Sequence, residues 1–472
     1  MLKNSYDKKA DWVTIIIYVT LVLFGWFNIY AANYNPENPV FFDTDMEYAK
    51  QVIWIALSMI IIWAIFMTNS TFYVAFSYFL YGLSVVLLFT VIFIGKEING
   101  AKSWFEIGPV RFQPAELAKI ATALTLSRIM SRHEFSFGKF KELIKIVGLW
   151  ALPVMCILLQ NDTGSALVFF IFILPFYREG LTGNILIFGI IAAITSVLTL
   201  VYPNIIILSL IVLGIYLFLF LQIDKKIALR SMIFLAGGFL LMLAVFYVLG
   251  LTLRWDLFAL FAIVVLTVYL LVRGFAKKLK PVIPAIIFMW GAVAATFSAD
   301  YFVNDVLSEY QRNRVYVLLG FKDDPLGAGY NVNQSKIAIG SGGLTGKGYL
   351  QGTQTKFDFV PEQSTDFIFC TVGEEWGYLG TFSVVFLFLF LILRLIFLAE
   401  KQHSAFSRIY GYCVASIFFY HFTVNIGMTI GLAPVIGIPL PFFSYGGSSL
   451  WGFTTLLFIF LKLDTNRTEL IR

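Results

Sequence analysis

Four groups of ionisable residues stand inside or at the edge of strongly apolar sequence. They are Glu116 with Lys119, Asp162 in LLQNDTGS, Asp366 in PEQSTDFIF, and Glu374 with Glu375 in VGEEWG. An ionisable side chain in membrane-grade surroundings is costly unless paired, so each is a candidate for function. Asp366 is the sharpest. It follows Pro361, Glu362, Ser364 and Thr365, then enters the apolar run Phe367, Ile368, Phe369. A carboxylate at the mouth of a low-dielectric wall is a strengthened base, suited to taking a proton from a hydroxyl. The competing reading is an N-cap on a short helix, and the same choice holds for Asp162 beside Thr163 and Gly164. Glu116 and Lys119 are three apart and can pair on one helix face, with Pro114 in the first turn.

A second set of residues could hold an anion. The glycines of GSGGLTGKG (340–348) allow backbone N–H groups close to a phosphate. No Walker spacing is present, which disfavours nucleotide. Arg312, Arg314, Lys336 and Lys347 lie in the same polar stretch and fit an anionic head group such as a lipid pyrophosphate. The plainer alternative is solvated charge at the membrane interface.

These residues are framed by a membrane protein. Of 472 residues 59% are hydrophobic and 13% charged, about half the charged share of a soluble protein. The net charge of +6 is dispersed in short loops between apolar segments, which excludes a nucleic-acid surface. The first apolar run, 12–31, is long enough to span and lacks a cleavage site, so a removable signal peptide is not expected. Cys156, Cys370 and Cys413 read as packing residues, and His133, His403 and His421 are scattered, which argues against a zinc enzyme.

Fourteen segments qualify as spans: 12–31, 51–67, 71–95, 115–131, 141–159, 163–177, 183–201, 204–221, 231–250, 255–272, 281–298, 379–398, 407–431 and 446–461. The weakest, 115–131, carries Glu116, Lys119 and Arg128 and stands only as a bundle-interior helix. With both termini cytoplasmic, most basic loops fall inside. The loops 96–114, 299–378 and 432–445 then fall outside. The expected organisation is an N-terminal helical core (1–180), a helical region (181–300), a large extracytoplasmic loop (301–378) and a C-terminal core (379–472). The segment 425–449 alternates Gly and Pro with apolar residues, cannot be one regular helix, and reads as re-entrant.

The stretches NGAKSWFEIGPVRFQPAELAKI (99–120), QNDTGSALV (160–168), YQRNRV (310–315), 324–369, GEEWGYLG (373–380) and NIGMTIGLAPVIGIPLPFFSYGGSSL (425–450) resemble, in order, the motifs of the SEDS family (shape, elongation, division and sporulation proteins). GTQ (352–354) and GAGY (327–330) favour its rod-elongation branch. The resemblance implies an all-α polytopic membrane protein with a ten-helix core, here with about four helices added within 181–300. It implies a peptidoglycan glycosyltransferase of the bacterial cytoplasmic membrane, acting on its outer face. The substrates would be lipid II and the growing glycan strand. A class B penicillin-binding transpeptidase and other elongation-complex proteins would be partners. The family's essential aspartate falls on Asp366, its cavity residues on Glu116, Lys119 and Asp162, and its loop tryptophan on Trp104. Arg111, Ser341, Gly343, Gln354 and Glu362 lie in the same motifs and join the candidate substrate contacts. The His that the family usually carries two residues before the aspartate is Ser364 here.

The chemistry expected is attack of an acceptor sugar hydroxyl on a donor anomeric carbon, with Asp366 as base. Arg312, Lys336, Lys347 and the glycine loop, with magnesium or manganese as a candidate cofactor, would steady the leaving pyrophosphate. A lipid-linked precursor flippase is the second reading. The absence of repeated halves and the gathering of polar residues on one face weigh against it. A non-catalytic scaffold is the third, and the polar and glycine residues concentrated around Asp366 weigh against that.

Overall fold

The computed structural model of the protein describes residues 10–34, 46–98, 100–108, 110–223, 225–249, 255–277, 282–307, 309–321, 329–357 and 359–468. The chain forms two compact units: Met1–Leu181 with Gly320–Arg472, and Thr182–Leu319.

The first unit opens with three apolar helices, α1 (Trp12–Ala32), α2 (Glu47–Met67) and α3 (Ser70–Ile94). Asp11 caps α1, accepting hydrogen bonds from the Thr14 N–H (3.0 Å) and hydroxyl (2.6 Å). A small antiparallel sheet follows, β1 (Lys96–Ile98), β2 (Ala101–Ile107) and β3 (Val110–Phe112), in that order. It is a small addition to a mostly helical chain. Where the chain turns between two helices, its backbone groups pair with one another across strands instead. The sheet is fastened to the bundle by the Lys102 N–H on the Gln160 carbonyl (3.0 Å).

Next come α4 (Pro114–Met130), α5 (Phe140–Leu158), and α6 (Thr163–Val168), which leads through a tight turn into α7 (Ile173–Arg178). Pro114 sits in the first turn of α4, where its missing N–H costs nothing. α4 is buried on nearly every side, Glu116 and Lys119 included, as a bundle-interior helix must be.

The second unit holds α8 (Gly183–Val201), α9 (Asn204–Phe218), α10 (Lys225–Leu249), α11 (Trp255–Lys277), α12 (Val282–Tyr301) and α13 (Glu309–Leu318). Its core is apolar, built from residues such as Leu208, Ile263, Leu270, Met289 and Val293. The buried hydroxyls of Thr195, Thr199, Ser231 and Thr296 each return to a carbonyl of their own helix.

The chain then returns to the first unit with α14 (Tyr330–Ser341), α15 (Thr353–Lys356), α16 (Ile368–Glu400), α17 (Ala405–Thr429) and α18 (Gly447–Thr465). α16 is broken at Gly377, whose backbone (φ 62°, ψ −156°) is open essentially to glycine alone. The bend seats the 342–348 turn: the Tyr378 and Leu379 N–H groups bond the Gly343 and Leu344 carbonyls at 2.9 and 3.1 Å. Between α17 and α18 the chain runs without repeating structure, yet Ile438, Leu440, Phe442 and Phe443 are buried. Phe442 meets Tyr18 at 5.0 Å and Phe443 meets Phe24 at 5.4 Å, edge to face. Irregular backbone is thus enclosed by protein.

Among the described residues ten helices are long and apolar enough to cross a membrane: α1–α3, α8–α12, α16 and α17. The count of fourteen is not reached on that measure. The other four expected segments are helices too. α4 and α18 are sheathed by the rest of the unit, α5 begins with Lys141, Glu142 and Lys145, and α6–α7 is short.

Candidate active site

Asp366 lies half-buried in a turn just before α16. It is not the cap of that helix. The cap position is Phe367, which makes no side-chain cap bond. The turn is wound around one carbonyl: Glu362 O accepts the N–H groups of Thr365, Asp366 and Phe367 at 3.3, 3.1 and 3.1 Å. Glu362 itself is exposed, and its carboxylate accepts the Thr365 hydroxyl at 3.0 Å. The Ser364 carbonyl accepts the Tyr445 N–H (2.9 Å), and the Asp366 carbonyl accepts Asn425 Nδ2 (2.9 Å). The main chain on both sides of the carboxylate is therefore held.

Asp366 Oδ2 faces Gly437, where an added Cβ would sit 3.3 Å away. Gly437 has φ +75°, a region that ordinary side chains avoid. Its neighbours in the chain each meet another part of the site. A Cβ on Gly164 would lie 2.8 Å from the Ile436 carbonyl, so the start of α6 abuts the loop there. Ile438 O accepts Asn425 Nδ2 at 2.7 Å, and Pro439 O lies 3.2 Å from His421 Nδ1. The stretch 436–439 is the hub on which α6, α17 and the Asp366 turn converge.

The Glu116–Lys119 pair forms as expected, at 2.9 Å, with side chains 7% and 2% exposed. Lys119 Nζ also lies 3.1 Å from His421 Nε2 and 4.9 Å from the Phe453 ring centre. An ammonium has only donors, so the imidazole accepts at Nε2 and carries its proton on Nδ1, toward Pro439. The buried pair is thereby linked to the hub. Glu116 Oε2 is buried with no protein hydrogen bond.

Asp162 takes the plainer of its two readings. It caps α6, accepting the Ser165 N–H (3.0 Å) and hydroxyl (2.9 Å). It also accepts Gln113 Nε2 at 2.9 Å, which ties it to the start of α4. The Gln113 N–H in turn reaches Ser448 Oγ at the start of α18 (3.1 Å).

The expected anion cradle is corrected. The N–H groups of Gly346, Lys347 and Gly348 bond the carbonyls of Gly342, Glu374 and Glu375 at 2.9, 3.0 and 3.1 Å, so they are not offered to a phosphate. Gly343 gives its carbonyl to the bend of α16, and Ser341 Oγ bonds the Ala338 carbonyl at 2.8 Å. Lys347 Nζ is bound to the fully buried Glu374 at 2.6 Å. That carboxylate also accepts the N–H groups of Thr353, Gln354 and Thr355 at 2.7, 2.9 and 3.0 Å. Lys347 and Glu374 thus anchor a loop. Gln354 Oε1 is buried without a protein partner. Lys336 is an exposed cation, its ammonium 3.7 Å from where a Cβ on Gly431 would stand, at the start of the loop that leads to the hub.

Trp104 sits half-buried on β2 opposite Lys96. Arg111 bonds Glu106 at 3.4 Å, and Lys96 pairs with the same carboxylate. The Lys96 hydrogen bond, with Arg111 beside it, holds Glu106 below the usual carboxylate range. Arg312 lies in the second unit, on α13, where it bonds the Asn304 carbonyl at 3.1 Å. Among the described residues no three His, Cys, Asp or Glu side chains gather as ligands.

Sequence reasoning missed His421 and Asn425. Their signal was present: four residues apart on one face of an apolar helix, directly before the irregular segment.

Comparison with known proteins agrees with this architecture. The cell cycle protein family model (FtsW, RodA, SpoVE) matches residues 11–212 and 210–469. The chain is 32% identical to the peptidoglycan glycosyltransferase RodA of Treponema pallidum, over 98% of each. It is 30% identical to the peptidoglycan glycosyltransferase MrdB of Escherichia coli, over 99% of this chain and 97% of that one. A solved chain from work on "structural coordination of polymerization and crosslinking by a peptidoglycan synthase complex" matches with TM-score 0.62 and 23% identity, covering 98% of this chain and 99% of that one. The rod shape determining protein RodA of Thermus thermophilus matches with TM-score 0.56 and 21% identity, covering 98% of both. This chain belongs to the FtsW/RodA/SpoVE family of cell cycle proteins.

Proposed function

We propose that this chain is a peptidoglycan glycosyltransferase that polymerises lipid II at the outer face of the cytoplasmic membrane, with Asp366 as general base. The observation that carries the reading is the setting of Asp366: a half-buried carboxylate whose main chain is held on both sides, facing a glycine of an enclosed irregular segment. The names of relatives at 32% and 30% identity over nearly the whole chain support the reaction class.

The step is a displacement. The acceptor 4-hydroxyl oxygen bonds to the donor's anomeric carbon as the bond from that carbon to pyrophosphate breaks. The hydroxyl proton passes to the Asp366 carboxylate, and undecaprenyl pyrophosphate leaves with the electron pair. General base catalysis of this kind contributes roughly 10²–10⁴-fold. Lys336, exposed on α14, is the cation assigned to the leaving pyrophosphate in the first unit. Lys347 is withdrawn from that role by Glu374. A divalent cation, if one takes part, would draw its ligands mainly from the phosphates. The buried Glu116–Lys119–His421 cluster shapes the cavity floor.

Both termini are cytoplasmic in this reading, and a class B penicillin-binding transpeptidase of the elongation machinery is the partner. The likeness to a chain from a peptidoglycan synthase complex supports such a pairing. The test is reconstitution in liposomes with that transpeptidase inactivated and fluorescent lipid II supplied. Long glycan strands are expected. Movement of lipid II across the bilayer with no polymer would replace the reading with a transporter.

A further inference from the structure

The site contains a fully buried side chain that bridges the backbones of the Asp366 turn and the 436–439 stretch. Asn425, on α17, is 0% exposed. Its amide donates one hydrogen to Asp366 O (2.9 Å) and the other to Ile438 O (2.7 Å). Ile438 follows Gly437, the residue that faces Asp366 Oδ2. One rigid amide therefore fixes the turn that carries the carboxylate and the loop that stands against it. His421, one helical turn earlier on the same face, does the same for the next carbonyl, Pro439 O, and is itself fixed by Lys119.

The two carbonyls have few other means of registry. The 430–446 segment has no ladder or helix of its own, and its start is tied back to α17 by the Leu432 and Ala433 N–H groups on the Gly427 carbonyl (2.7 and 3.1 Å). The Leu440 N–H on Ser444 Oγ (2.9 Å) closes the loop on itself only. Tyr445 N–H on Ser364 O joins the loop's far end to the Asp366 turn, eight residues beyond Gly437.

We propose that Asn425 is a positioning residue for the transfer step: by holding both carbonyls it sets the spacing between the Asp366 carboxylate and Gly437, and so the place of the acceptor hydroxyl. The inference rests on the polymerase reading. A nucleophile misplaced by about 1 Å can cost on the order of 10²-fold in rate. Substrate affinity should hardly change, because Asn425 is fully buried and offers no surface for a contact.

The experiment uses the full chain with its inactivated transpeptidase partner and lipid II. Asn425→Ala is expected to lower kcat on the order of 10²-fold, with KM for lipid II within about twofold. Asn425→Ser keeps one donor and should fall between it and the wild type, which also covers the case in which the alanine variant does not fold. Gly437→Ala attacks the same spacing from the loop side. If one spacing is at stake, the double variant should lose no more than about threefold beyond the worse single one. Wild-type kcat in a folded Asn425→Ala protein would overturn the proposal. So would a loss confined to melting temperature or KM, or strictly multiplicative losses in the double variant. If the wild type itself makes no polymer, the polymerase reading fails first, which is a separate result.

Discussion

At the scale of single residues, stability turns on how the buried charges are paired. Glu116 and Lys119 are committed to each other inside the bundle. Removing one member of a buried pair strands the other, at a cost of about 3–5 kcal/mol, whereas replacing both with apolar or neutral isosteres is often tolerated. Lys119→Met is therefore expected to melt well below the wild type in detergent. The double variant Glu116→Gln, Lys119→Met should recover much of the loss, which thermal unfolding of the three proteins will check. Asp11 offers a pH test outside the membrane. Partial burial pushes its carboxyl up, but bonds to Arg394 and Thr14 outweigh this and hold it below its ordinary value. A depressed carboxylate contributes stability above its unfolded pKa of about 3.9 and loses it as pH falls through the folded value. Asp11→Ala should thus be clearly destabilised at about pH 7, and the gap to the wild type should narrow as pH falls below about 4.

At the scale of elements, two devices hold the 342–356 stretch of the first unit: the Glu374 anchor and the bend of α16. Glu374 collects three backbone N–H groups and the Lys347 ammonium. Glu374→Ala leaves those donors without their acceptor, at about 1–3 kcal/mol for each buried one. Amide exchange at Thr353, Gln354 and Thr355 is expected to quicken by at least about tenfold, while amides of α17 keep their protection. At the bend, Gly377→Ala would place a Cβ 2.9 Å from the Gly343 carbonyl in a conformation alanine avoids. A lower melting temperature and loss of the 342–348 turn to proteolysis should follow. Helices were legible in the sequence because long apolar runs leave few alternatives in a bilayer. The pairing of Glu116 with Lys119 was legible because it is local, three residues apart. The Lys347–Glu374 bond and the hub at 436–439 were not. Each joins positions far apart in the chain, and nothing in GSGGLTGKG distinguishes glycines that admit a phosphate from glycines that admit another strand of backbone.

At the scale of the whole molecule, polar chemistry is unequally shared. In the second unit, buried hydroxyls such as Thr195, Thr199 and Thr296 turn back on their own helices and the core is apolar. In the first, buried polar groups reach between elements: Asn425 to the Asp366 turn, His421 to the loop, Gln160 to the Leu88 carbonyl of α3. Substitutions that remove the second unit's buried hydroxyls, such as Thr296→Val, should therefore leave polymerisation within about twofold of wild type. The measurement that bears most directly on the central claim is the rate of glycan synthesis from lipid II by wild type and Asp366→Asn, each folded and bound to the inactivated transpeptidase. Strands are expected from the wild type, and from the variant a rate lower by roughly 10²–10⁴-fold. Equal rates would leave a polymerase whose base is elsewhere and would contradict the role given to Asp366.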